Sequence, residues 1–402
     1  MFQSNFSVIF QFLWLIPLLL SLGGFFLSIW IIIPAPTYTL FPLAVGAPEI
    51  SPWLFLVNAI ALLLTIILLP KGWLFNLALV CSVFGLLLSL IPLIKLPATN
   101  ARFATEMVRV LGKDYLKNIP ETLQAKMRPK PFVLKEVFRG IPQPKVRIQR
   151  GIVFASPDEV ELKLNTYQPL AKGKYPTLIV IYGGGWRSGS PDNNEQFSCY
   201  MADRGYSVIT IDYRHSPKYK FPTQLEDVQT ALNYIQTNAD VLEVDTDRMA
   251  IMGRSAGGHL ATLAAYQPDG IPFKAVISYY GAVDLTEGYY NPPVPNPLDT
   301  ISILRDFLGG TPEELPEIYR QASPINYPRP NLPPTLLVYG VRDRVVQKKF
   351  GEKLQGKLHA NNNKAILLAI PWAEHAFDAI FPGMSNQLAL YYTERFLAWA
   401  LY

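Results

Sequence analysis

Between residues 1 and 95 the chain carries only three charged side chains, Glu49, Lys71 and Lys95. A stretch so depleted cannot supply the charged surface that keeps a folded domain soluble. Three apolar runs fill it, at 8–33, 53–69 and 73–94. Each approaches the ~20 residues that a helix needs to cross a hydrocarbon core of about 30 Å, and each is predicted to be a membrane span. Pro70, Lys71 and Gly72 make a tight polar corner, so the second and third spans are expected to form a helical hairpin. Trp14, Trp30, Trp53 and Trp73 stand near run ends, where interfacial anchors belong. No Lys or Arg precedes the first run and two more runs follow it, which argues against a cleaved signal peptide. Buried core helices of a soluble protein are the competing reading, and the length and charge depletion of the runs oppose it. Three spans place the N-terminus and the large remaining part on opposite sides. Lys95, Arg102, Arg109 and Lys113 outnumber Lys71, so the positive-inside bias predicts a multi-pass protein with its large domain in the cytoplasm.

Beyond residue 95 the character changes. The whole chain has 402 residues with 36 basic and 31 acidic side chains, a net of +5. Nearly all of these charges lie in the last 307 residues, roughly a fifth of which are therefore charged, an ordinary globular value. So small an excess, spread so widely, excludes a nucleic-acid binder working through bulk charge. Cys81 and Cys199 lie far apart and imply no disulfide framework. His215, His259, His359 and His375 are scattered without ligand spacing, so neither metal nor cofactor is expected. Phe103, Met107, Val110, Leu111 and Tyr115 recur at helical spacing among basic residues over 101–118. This predicts an amphipathic helix that packs on the globular part, with a place on anionic lipid as the alternative. Residues 120–144, rich in proline, read as linker. The expected organisation is a membrane segment at 1–95, an amphipathic helix and linker at 96–144, and one catalytic-size domain at 145–402.

That domain alternates strand and helix. A β-hairpin is predicted over 146–154 and 160–167, followed by strands near 177–182, 206–213, 249–253, 274–280, 335–339 and 365–370. Helical patterns fall at 193–204, 225–237 and 259–266, between the last two strands, and after Gln387. Such alternation predicts a mostly parallel sheet with helices on both faces and chemistry at the strands' carboxyl ends.

Four motifs sit at those ends. Gly253-Arg254-Ser255-Ala256-Gly257 follows a strand and opens a helix, the setting in which a sharp turn exposes a serine hydroxyl. Tyr182-Gly183-Gly184-Gly185-Trp186 follows an earlier strand, and its glycines can turn amides toward one point. Gly184, Gly185 and the amide of Ala256 are the candidate oxyanion donors. Asp343 leaves another strand and His375 follows the last. The chain order Ser255, Asp343, His375 is that of a triad in which Asp343 orients the imidazole and His375 takes the serine proton. Each residue alone is weak evidence, since an Asp after a strand is usually a turn residue. The four together, each after a strand, reverse that balance. His259 is expected to pack or cap locally, His215 to be structural, and His359 to end a polar helix. Glu226-Asp227 and Glu313-Glu314 read as solvated helix faces.

These motifs resemble the α/β-hydrolase superfamily, in the branch of hormone-sensitive-lipase-like and feruloyl-esterase-like carboxylesterases. The matches are Tyr182–Trp186 with the His-Gly-Gly-Gly-Trp loop, Asp212-Tyr213-Arg214, Phe221-Pro222 with Asp227-Val228, the elbow from Gly253 to His259, and Ala322-Ser323-Pro324, completed by Asp343 and His375. The resemblance spans about 145–402 and implies an α/β-hydrolase fold preceded by about three transmembrane helices. It departs at Tyr182, where the family has His, which puts the oxyanion loop's support in question. Residues 284–330 are expected to cover the pocket and set acyl specificity.

The function implied is a membrane-anchored serine hydrolase that cleaves a small-molecule or lipid ester through an acyl-enzyme, with membrane lipid as its surroundings. The same triad serves amidases, peptidases and acyltransferases. A catalytically silent ligand-binding protein of this fold is the reading from another class, and its signature would be a lost triad member.

Overall fold

Runs such as Leu178-Ile179-Val180-Ile181, apolar at every position, belong to strands covered on both faces. The computed structural model, which describes residues 15–402, places them so. Eight strands form one sheet in the order β1-β2-β4-β3-β5-β6-β7-β8. They are β1 (Arg147–Ala155), β2 (Leu162–Gln168), β3 (Tyr175–Ile181), β4 (Ser207–Ile211), β5 (Val244–Arg254), β6 (Ala275–Tyr279), β7 (Thr335–Gly340) and β8 (Ala365–Ile370). β2 runs antiparallel to β1 and β4, and every other pair is parallel. The hairpin, the alternation and the parallel sheet thus follow the expectation, and β5 begins five residues earlier than its apolar run.

The N-terminal segment forms three helices: α1 (Leu15–Ile29), α2 (Phe41–Glu49) and α3 (Ser51–Leu68), and then α4 (Trp73–Leu111), which makes a long fourth. α1, α3 and α4 pack as a bundle. Its interior is small and polar. Ser82 donates to Ser21 at 2.8 Å, and Asn58 donates to Ser28 at 2.9 Å and to the Leu54 carbonyl at 2.8 Å. Gly24 and Gly85 face the Asn58 side chain so closely that a Cβ on either would overlap it. Leu19, Leu63, Ile67, Phe84 and Leu87 are exposed on its outside.

Of three expectations about this part of the chain, the first is met in part and two need correction. Among the described residues, two helices rather than three are long and apolar enough to cross a membrane, Ser51–Leu68 and Trp73–Leu111. The first run is described from Leu15 onward, as the 15-residue α1 and the turn at 30–33; residues 8–14 lie outside the described residues. Second, no break separates the last apolar run from the amphipathic pattern. α4 continues through Pro92 and Pro97 and buries Phe103, Met107 and Leu111 in the core of the large domain, ending at Gly112. Proline's local cost is offset by that packing. Third, residues 120–144 are no free linker. They hold two short helices (Glu121–Gln124 and Leu134–Arg139), and Ile119, Leu123 and Met127 pack on Ala398 of the C-terminal helix. The buried Arg128 donates its amide to Glu394 and its guanidinium to Glu136 and Gln387. Charged residues mask this anchoring in the sequence.

Candidate active site

β5 ends in a turn that no ordinary backbone makes. Ser255 has φ 51° and ψ −120°, a strained conformation for a residue with a Cβ. It leads directly into α5 (Ala256–Ala265). The turn demands close backbone approach, since a Cβ on Gly257 would lie 2.2 Å from the Ile181 carbonyl oxygen of β3. A side chain there would push the elbow off the sheet, which is why the motif has glycine.

His375 lies in the loop after β8 and Asp343 in the loop after β7. His375 Nε2 is 2.9 Å from Ser255 Oγ, and His375 Nδ1 is 2.8 Å from Asp343 Oδ2. Asp343 is an acceptor only, so Nδ1 carries the proton and Nε2 is left to accept from the serine. The other Asp343 oxygen accepts the amides of Val345 and Val346 at 2.8 and 2.7 Å, which fixes the carboxylate. The three residues therefore form one hydrogen-bonded chain across three strand ends.

Gly184 has φ +141°, and a Cβ on it would lie 2.0 Å from the Ser188 carbonyl oxygen, so only glycine lets the loop fold under itself here. Gly184, Gly185 and Ala256 all line the cavity that holds Ser255 and His375. Ala256 is the first residue of α5, where an amide has no acceptor within the helix.

Tyr182 keeps the loop tied down without a histidine. Its hydroxyl donates to Asp212 Oδ1 at 2.5 Å and lies 2.9 Å from His215 Nε2, while its ring stacks on Tyr213. Burial raises the Asp212 carboxyl above its ordinary range and lowers the His215 imidazole below its own. Arg214 grips Asp227 through the side chain and its own amide, which joins two of the sequence motifs. His259 is fully buried. Nδ1 accepts from the Trp186 indole at 3.1 Å, so Nε2 donates to the Ala322 carbonyl, and burial pushes its pKa down to about 4. It thereby links the glycine loop to Ala322-Ser323-Pro324 as a neutral strut.

Two further clusters were not anticipated. Arg254, beside the serine, forms a buried ion pair with Asp378, which also accepts from Tyr280. That cluster ties the elbow to the loop carrying His375. Glu374 accepts the amides of His375 and Arg344, and burial, with the nearby Asp343 charge, raises its carboxyl. An acid adjoining the histidine in sequence was the visible signal. The cavity measures about 770 Å³ and is lined in part by Leu285, Leu298, Ile303 and Leu304, from the stretch expected to cover it. Tyr289 and Tyr290 of that stretch do not line it, and Phe307 instead stacks on Trp186. Tyr38, Thr39, Phe41 and Pro42 also line it, from the far N-terminal segment, where nothing in the sequence marked them.

Known proteins match this domain. The BD-FAE family model matches residues 164–358. Esterase LipC of Mycobacterium tuberculosis is 32% identical over 219 residues, which cover 51% of this chain and 54% of LipC. The probable carboxylic ester hydrolase LipM of the same organism is 27% identical over 241 residues, 56% of this chain and 54% of LipM. The chain thus spans about half the length of the curated relatives it matches. Among solved structures, an esterase of Pyrobaculum calidifontis superposes with a TM-score of 0.55 at 23% identity, covering 69% of this chain and 97% of that one. A propionate-bound esterase of Thermogutta terrifontis gives 0.51 at 25% identity, covering 64% and 94%. With a mostly parallel eight-stranded sheet, a strained serine elbow after β5 and these structural relatives, the chain has the α/β-hydrolase fold.

Proposed function

We propose that the chain is a membrane-anchored serine hydrolase that cleaves carboxylic esters. The observation that carries this reading is the hydrogen-bonded chain from Ser255 through His375 to Asp343, at 2.9 and 2.8 Å. Ser255 Oγ attacks the acyl carbonyl as His375 Nε2 takes its proton, and Asp343 stabilises the imidazolium that forms. The Gly184, Gly185 and Ala256 amides receive the negative charge that develops on the carbonyl oxygen. His375 then returns the proton to the leaving alcohol, and deprotonates the water that releases the acid. Similarity to esterases favours an ester over an amide, and the propionate bound in the Thermogutta structure is a carboxylic acid of the kind that ester cleavage would release.

Anchoring rests on the inverted character of the helical bundle. A soluble core buries its leucines, whereas here Ser21, Ser28, Asn58, Thr65 and Ser82 are buried and Leu19, Leu63, Ile67 and Leu87 face outward. Small and polar residues inside, with apolar residues outside, suit a bundle whose solvent is lipid. α3, with 18 residues, is about 27 Å long, close to the hydrocarbon thickness.

A fluorophosphonate probe tests the chemistry, because it needs a nucleophilic serine and little knowledge of the substrate. The full chain in detergent should label, and Ser255→Ala should not. A folded wild type that fails to label overturns the reading.

A further inference from the structure

The catalytic domain does not close its own cavity. Tyr38, Thr39, Phe41 and Pro42, from the connection between α1 and α3, supply part of the wall. That connection is fixed in place. Glu49 accepts from the Ser385 amide at 2.7 Å and from its hydroxyl at 2.5 Å, and Ser51 donates to Met384. Phe41, Ala44 and Val45 share a buried cluster with Trp30 and Leu54 of the bundle, and Leu298 and Val345, both cavity residues, pack against it.

The wall also has a direction. Tyr38 lines the cavity yet is 72% exposed, so it stands at the mouth. Six and five residues earlier, in the turn after α1, Ile32 and Ile33 are 43% and 41% exposed, as Leu19 and Phe26 of α1 are exposed. From Trp30 to Pro48 there is no charged side chain. This side of the cavity is therefore an uncharged path from the face that would meet acyl chains to the chamber that holds the serine, whose charged lining residues, Arg187 and Asp284 among them, come from the large domain. A water-soluble ester gains nothing from such a path. An ester whose hydrocarbon is dissolved in the bilayer can follow it without exposing that hydrocarbon to water.

We propose that the substrate is a lipophilic carboxylic ester drawn from the bilayer itself, admitted past Tyr38 and held by Phe41 and Pro42 as specificity-determining residues. This rests on the esterase reading. The test uses the full chain in phosphatidylcholine vesicles with two esters: a long-chain acylglycerol incorporated in the same bilayer, and water-soluble p-nitrophenyl acetate. Fluorophosphonate labelling is run on every sample. At fixed total acylglycerol, added carrier phospholipid should slow hydrolysis in proportion to the falling surface mole fraction. Tyr38→Asp, at an exposed site, and Phe41→Ala should each lower the ratio of acylglycerol to acetate turnover at least about tenfold. Hydrolysis indifferent to surface dilution, or an unchanged ratio in both variants, overturns the proposal. Where labelling and acetate turnover persist in either event, the esterase reading stands and only the bilayer source is lost. A wild type that neither labels nor hydrolyses acetate removes the esterase reading and this inference together.

Discussion

The hydroxyl of Tyr182 serves two partners thirty residues away, and its loss should be felt at the serine it never touches. Tyr182→Phe leaves Asp212 and His215 facing each other without the shared hydroxyl, at about 1.5–3 kcal/mol for a hydrogen bond to a charged group. Its effect should reach the adjoining Gly184 and Gly185 amides, so kcat should fall about tenfold with KM little changed. Tyr182→His, which offers Asp212 a ring N–H, should retain more activity than the phenylalanine variant. Steady-state kinetics on a soluble ester distinguishes the two, and equal loss in both would mean that the ring stack on Tyr213 holds the loop by itself. At Asp343 the expectation is harsher. In Asp343→Asn the carbonyl oxygen stays on the Val345 and Val346 amides, so the NH2 group faces His375 Nδ1, and His375 adopts the other tautomer with its N–H toward Ser255. A fall in kcat of about 10³–10⁴ should follow, with thermal stability nearly kept. This arrangement was legible from the sequence because Ser255, Asp343 and His375 each follow a strand, β5, β7 and β8, in that chain order. The replacement for the family's histidine was visible as a departure. Its partners were not, because Asp212 and His215 meet Tyr182 only through the parallel pairing of β3 with β4.

At the scale of elements, strands were easier to read than the ends of helices. A buried parallel strand is a short apolar run, and β3, β4, β6, β7 and β8 all lie within a few residues of theirs. α4 was misread because two prolines and the first basic residues coincide near residue 95, where local preference points to an end. Burial of Phe103, Met107 and Leu111 overrides it. The C-terminal helix α6 (Met384–Leu401) has the opposite problem: its start depends on a residue more than 330 positions earlier. Glu49, which lies between the apolar helices, accepts the Ser385 amide in the first turn of α6. Carboxylates at such a site are usually stabilised as anions. Here burial is the larger effect, aided by the Asp378 charge, and it pushes Glu49 up to about 8 against the pull of the Ser385 hydrogen bonds. The sign for stability follows. An unfolded Glu49 ionises near its ordinary 4.5, so its contribution is fully present below that pH and is lost as pH rises through about 8. Glu49→Gln keeps both contacts and cannot ionise. The melting temperature of the wild type relative to Glu49→Gln should therefore decline from pH 5 to pH 9 in detergent. A constant difference across that range would show that Glu49 does not gain a proton on folding.

For the molecule as a whole, the sequence divides into a charge-poor segment and a domain of alternating strands and helices, and the structure joins them. The join was illegible because it is made of single residues. Glu49 meets Ser385, Trp53 donates to the Val137 carbonyl at 3.1 Å, and Tyr38 reaches the cavity, none of them in a pattern that periodicity can expose. Deleting residues 1–95 would strip one wall from the cavity and uncover Leu298, Val345 and Met384. That truncated chain should label with fluorophosphonate more slowly than the full chain and aggregate more readily in gel filtration. Equal labelling with a monodisperse profile would make the two parts independent. The same geometry makes sidedness testable. The hairpin at Lys71 closes one end of α3 and α4, whereas Lys95 and the basic run beyond it lie along the part of α4 that enters the catalytic domain. Charge bias assigns that basic end to the cytoplasm. Both native cysteines, Cys81 and Cys199, are buried, so single exposed cysteines can be introduced as reporters. In intact cells a membrane-impermeant maleimide should modify Lys71→Cys and spare Lys113→Cys. Disruption of the membrane should then expose Lys113→Cys. The reverse pattern would put the serine outside the cytoplasm, where the ester it meets would come from the other leaflet.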